Sequence, residues 1–188
     1  MRFRFLPTTA IAAMALLGGC AGAGDIAGTD YAPEYDYSEF YAVTNNKTFR
    51  VIVSGNPFPD MSQQEMERRL LPVMQANKPQ PNLTFTYAVP VEEPRPDYRL
   101  VLVFNAATDL TAARVCANQI RHKPVPARPF DLFAVYCRND LALSQSTAWT
   151  PATGPDDPRV GQLFSRLFIV LFDPFRRPRP HPFPFMVF

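Results

Sequence analysis

At 188 residues, 47% hydrophobic, 19% charged and 13% aromatic, the chain has the length of one domain and too much apolar content for a wholly disordered protein. Its 21 prolines against 8 glycines follow no collagen period, which points to a packed core with proline-rich connections. The formal charge of +2, from 19 basic and 17 acidic side chains, gives no large cationic excess, and the apolar stretches are too short for a polytopic membrane protein.

Arg2 and Arg4 form a positive start, Ile11 to Leu17 is an apolar stretch, and Leu17-Gly18-Gly19-Cys20 follows. This is the pattern of a secretory signal, too short to span the roughly 30 Å hydrocarbon core comfortably as a permanent helix. Leu17-Gly18-Gly19-Cys20 resembles a bacterial lipobox. The resemblance implies a lipoprotein signal peptide over residues 1–19, cleavage before Cys20, and diacylation of its thiol with further acylation of the new amino group. In similar lipoproteins an Asp after the cysteine favours retention in the inner membrane. Ala21 stands there instead, so the implied address is the periplasmic face of the outer membrane of a Gram-negative cell envelope, with the lipid as membrane anchor. Loss of Arg2 and Arg4 leaves 17 basic against 17 acidic side chains, a neutral body that argues against a nucleic-acid partner.

Residues 20–46 read as a lipidated flexible tether, glycine- and alanine-rich at first and then acidic and aromatic through Tyr31, Tyr35, Tyr37, Phe40 and Tyr41. The tyrosines either form a recognition strip or lead into the core and along its surface. An α+β globular domain is expected over residues 47–172. Thr48 to Ser54 alternates and is rich in β-branched residues, and Gly55-Asn56-Pro57 stops that strand. Ser62 with Glu65 fits a capping box, and Met66, Leu70, Val73 and Met74 share one face of the helix it opens.

Thr84–Val89 and Tyr98–Asn105 are two further strands across the proline-rich turn Pro90–Pro96, and the doubly apolar Leu100 to Phe104 belongs in the middle of a sheet. Phe130–Cys137 and Leu141–Trp149, joined at Asn139-Asp140, form a hairpin with Leu141, Leu143, Gln145 and Thr147 on one side. The fold class is therefore α+β, a mostly antiparallel sheet of about five strands with helices packed on one face. A strand, a capped helix and then Pro96-Asp97-Tyr98-Arg99 leading into an apolar strand is similar to small α+β envelope lipoprotein domains of unknown function.

With Cys20 lipidated, Cys116 and Cys137 remain as an even pair in an oxidising compartment, a disulfide candidate closing a loop of about 20 residues. Val160 to Phe172 carries apolar residues at helical spacing, and this helix either docks on the sheet or lies in the bilayer interface. Residues 173–188 form a Pro/Arg/Phe-rich tail. Arg176, Arg177 and Arg179, set among alternating prolines, are the candidate partner-binding residues, for an envelope protein or an anionic envelope polymer. Alternatively the tail wraps its own domain with Phe183, Phe185 and Phe188 as plugs.

Catalytic chemistry finds little support. There is no glycine-rich phosphate loop, HExxH or G-x-S-x-G. The two histidines, His122 and His181, have no carboxylate at ligand spacing, so no metal and no cofactor is expected. Glu92-Glu93 sits between prolines in a turn, where adjacency does not supply the opposed walls of a glycosidase cleft. Two classes remain. One is a non-enzymatic, membrane-anchored envelope lipoprotein acting as a binding or scaffolding module, which the absence of a catalytic constellation favours. The other is a small lipid-anchored periplasmic hydrolase, or a thiol enzyme pairing Cys116 or Cys137 with His122.

Overall fold

The computed structural model describes residues 24–89, 97–126 and 128–176. In chain order its elements are β1 (Asp25–Tyr31), α1 (Tyr37–Thr44), β2 (Thr48–Ser54), α2 (Gln63–Ala76), β3 (Thr84–Thr86), β4 (Tyr98–Phe104), α3 (Ala112–Cys116), β5 (Asp131–Arg138), β6 (Leu141–Trp149) and α4 (Pro158–Leu171). The strands form one six-stranded sheet in the order β1-β6-β5-β4-β2-β3. β4, whose residues are apolar on both faces, lies inside the sheet with all seven positions buried, as its sequence pattern requires.

The fold is α+β, but the sheet is mixed and has six strands rather than about five mostly antiparallel ones. β2 runs parallel to both β3 and β4, while β4-β5, β5-β6 and β6-β1 are antiparallel. The parallel pairing of β2 and β3 follows from α2 between them, because parallel neighbours need a crossover connection and a helix supplies it. The sixth strand is β1, in the segment expected to be a flexible tether. It pairs along β6 from Asp25 opposite Trp149 to Tyr31 opposite Ser144, and α1 follows with Phe40 fully buried. The folded body therefore begins at least as early as residue 25, not near Lys47.

Helices also lie on both faces rather than one. Phe40 of α1, Met66, Leu70 and Met74 of α2, and the apolar stripe of α4 share a core with Leu100, Leu102 and Phe104. On the opposite face Val101, Val103, Val135 and Cys137 pack with Leu110, Val115 and Cys116, from α3 and the turn before it. The apolar pattern of β4 demands a cover on each side, and α3, only five residues long, is part of the second one.

The expected cap and helix faces are in place. Ser62 accepts a hydrogen bond from the Glu65 N–H at 3.2 Å at the start of α2. Val160, Leu163, Phe164, Leu167, Phe168 and Leu171 of α4 are all buried on the sheet, with Phe168 packed on Phe85 and Phe164 on Phe130. In the β5-β6 hairpin Asn139 adopts φ 51° at the turn. A bulge between the Tyr136–Ser144 and Cys137–Ala142 pairs shifts the register, so Leu143 is buried in the α2/α4 core while Leu141 is partly exposed. The simple alternation expected along β6 fails at that extra residue.

α4 opens with Pro158 in its first turn and Asp157 as N-cap. The Asp157 carboxylate accepts from the Arg159 backbone N–H at 3.0 Å and from its guanidinium at 2.9 and 2.5 Å. These bonds, the side-chain pair with Arg159 foremost, hold the Asp157 carboxyl well below its ordinary value of 3.8. A depressed folded-state pKa contributes stability that is complete above the unfolded value and is lost as pH falls below it. Asp157→Asn retains a competent cap but removes the charge. Its expected signature in urea titrations is a shallower loss of stability below about pH 4 than the wild type shows.

Candidate functional site

The disulfide candidate is formed: Cys116 at the end of α3 and Cys137 on β5 are joined, with Cα atoms 5.6 Å apart. Both residues are buried. The bridge ties α3 to the sheet beside Arg99, which is the residue of β4 opposite Cys137 and which donates to the Cys116 carbonyl at 2.6 Å. Neither sulfur is available as a thiolate for His122.

His122 instead meets a residue that the sequence search did not single out. Its Nε2 lies 3.1 Å from Ser54 Oγ at the end of β2, and its Nδ1 lies 2.8 Å from the Phe104 carbonyl oxygen. The carbonyl can only accept, so Nδ1 carries a proton, and in the neutral ring Nε2 accepts from the Ser54 hydroxyl. Gly55, at φ +85°, makes the close approach possible: a Cβ there would stand 2.9 Å from the Phe104 oxygen and 3.0 Å from the imidazole. No sequence spacing betrays a pair 68 residues apart.

A second feature is the edge formed by β1 and α4. Arg166 donates to the Gly24 carbonyl at 2.6 Å, and Gly24 packs against Trp149 and Leu163. At the other end Tyr31 donates to the Val170 carbonyl and Tyr35 to the Asp173 carbonyl at 3.1 Å, while the Arg176 guanidinium lies 4.8 Å over the Tyr31 ring. β1 and α4 thus run side by side in the same direction, each about 20 Å long. The chain enters the body at one end of this edge, and the described part of the tail leaves at the other. Phe175 is 88% exposed there.

The tyrosines divide accordingly. Tyr35 is core, Tyr31 braces α4 and carries Arg176, and Tyr41 is exposed. Burial pushes the Tyr35 hydroxyl far above its usual range, so it remains a neutral donor.

Near the entry end, Trp149 pairs with Asp25 on one side and Asp131 on the other. Asp131 accepts from Lys123 at 2.9 Å and from Arg128 at 3.1 Å, and Arg128 lies 5.3 Å over the Trp149 ring. Of the sequence-derived site residues, Cys116, Cys137 and Arg176 are placed. Cys20, Arg177, Arg179, His181, the Glu92-Glu93 turn and the three tail phenylalanines fall outside the described residues.

Among the described residues no group of three or more His, Cys, Asp or Glu side chains could hold a metal ion, and no helix is long and apolar enough to cross a membrane. Compared with known proteins, the chain matches no family model, no curated protein and no solved structure.

Proposed function

We propose that the chain is a non-enzymatic envelope lipoprotein, held by an acylated Cys20 on the periplasmic face of the outer membrane, whose body serves as a binding or scaffolding module. The observation that carries this reading is the division of the β1/α4 edge between an entry end and an exit end. Three residues separate Cys20 from Gly24, a link that spans at most about 14 Å when fully extended. An acylated Cys20 would therefore hold the entry end, with Trp149, Arg128 and Lys123, close to the bilayer. Arg176, and with it the tail arginines Arg177 and Arg179, would leave from the far end toward an envelope protein or an anionic polymer.

The intact mass of protein purified from a membrane fraction tests this. The expected mass is that of residues 20–188 plus acyl chains, with Cys20→Ala giving an unprocessed, unacylated form. An unacylated wild-type protein recovered from the soluble fraction would overturn the reading.

The Ser54–His122 pair favours a second reading, a small lipid-anchored hydrolase, because a hydroxyl hydrogen-bonded to an oriented imidazole is the arrangement of an activated nucleophile. The two readings separate on a fluorophosphonate probe. Labelling of Ser54 that is lost in His122→Ala would support the hydrolase; an unmodified Ser54 supports the binding module.

A further inference from the structure

β2 and β4 set Arg50 and Arg99 directly beside each other on adjacent parallel strands. Both side chains face the side of the sheet that α3 covers, and there they border a cavity of about 380 Å³. Ile52 and Val101, two positions further along each strand, also line it, and Val115 and Ile120 line it from α3 and the turn after it. Its polar groups beyond the two arginines are Asp97 and Asn118.

The two guanidinium groups are not equivalent. Arg99 is satisfied: it donates to Asp97 at 2.5 Å and to the Cys116 carbonyl at 2.6 Å, with its side chain 10% exposed. Arg50 has no such partners among the described residues, and its Nε is buried with no acceptor. Neighbouring strands thus carry two positive charges, and the Asp97 carboxylate that lines the cavity with them is held by Arg99. Like charges opposite one another on a sheet repel, and a buried charged donor without an acceptor is costly, so among the described residues the cavity is short of one negative charge and one acceptor.

We propose that this cavity binds a small monocarboxylate with a short aliphatic arm. The carboxylate meets the Arg50 guanidinium, whose planar fork matches two carboxylate oxygens, and the arm lies against Ile52, Val101, Val115 and Ile120. A monoanion balances the single excess charge, whereas a dianion would set a second charge against apolar walls. The volume is at the lower end of small-ligand pockets, which run from about 300 to 1,000 Å³, and this favours a short arm. The residues lining the site come from β2, β4, α3 and the turns beside them, so the proposal does not rest on acylation of Cys20.

Octanoate is the probe, titrated into the chain carrying Cys20→Ala so that no attached acyl group competes. Amide shifts at Ile52, Val101, Val115 and Ile120 are expected, with binding at least about tenfold weaker in Arg50→Gln and partly retained in Arg50→Lys. 1-Octanol at equal concentration should leave these amides unmoved, and inorganic phosphate should not displace octanoate. Arg50→Gln loses no described hydrogen bond, so its amide spectrum and melting temperature should match the parent and exclude misfolding as the cause. Unchanged affinity in Arg50→Gln, shifts confined to other residues, an equal response to 1-octanol, or displacement by phosphate would each overturn the proposal.

Discussion

Phe40→Ala is expected to lower the free energy of unfolding by about 3–5 kcal/mol, although it lies in a segment whose sequence reads as a tether. The Phe40 ring is completely buried and stacks on Phe172 with centroids 4.2 Å apart and planes 11° apart. It also meets Phe49 and Tyr136 edge-on at 5.8 and 5.5 Å. Removing it opens a cavity among these three rings and forfeits aromatic pair energies of about 0.5–1.5 kcal/mol each.

Its neighbour Glu39 fixes α1 further, accepting from Arg138 at 2.9 Å and from the Tyr98 hydroxyl, which burial pushes up to about 12. Tyr41→Ala, one residue away and 47% exposed, should change stability by no more than about 0.5 kcal/mol. Urea denaturation of both variants decides the matter. A loss below about 1 kcal/mol for Phe40→Ala would mean that α1 does not belong to the core.

The second large effect is expected from the disulfide. Replacing Cys116 and Cys137 together by alanine should cost about 3 kcal/mol, because the bridge closes a loop over a sequence separation of 21 and restricts the unfolded chain accordingly. Dithiothreitol should lower the stability of the wild type by a similar amount and leave the double variant unchanged. The larger core on the α2/α4 face holds no cysteine, so the reduced protein should stay folded while the amides of α3 lose exchange protection. A denaturation midpoint insensitive to reductant would contradict this account.

What the sequence made legible was local and strongly patterned: the doubly apolar β4, the Ser62 cap, the apolar stripe of α4 and the hairpin at Asn139. β1 was hidden because its alternation is almost empty of core residues. Five of its seven positions are exposed, Gly28 sits at φ 61° in a bulge between Ala27 and Asp30, and it is held by backbone pairing that no side-chain pattern records. α1 and α3 are too short for a periodic signal to build up. The parallel placement of β2 is a matter of where α2 carries the chain. It was this placement that set Arg50 beside Arg99, and the meeting of β2 with the turn after α3 that set Ser54 beside His122. Neither pair is adjacent in sequence, so no motif search finds them.

The pairing of β1 with β6 bears on how the protein comes to be folded. The first of the described strands must wait for the last of them, since Asp25 finds its partner only when Trp149 is present. Bringing such distant segments together carries the largest entropic cost of chain closure in the sheet, and folding slows as contacts become less local. Until then β1 has no partner and the edge of β5 that β6 will cover is unpaired, a template for association between chains. A chain that crosses a membrane from its N-terminus would deliver β1 first and β6 late, and this interval is the one in which a holding chaperone would have most to protect.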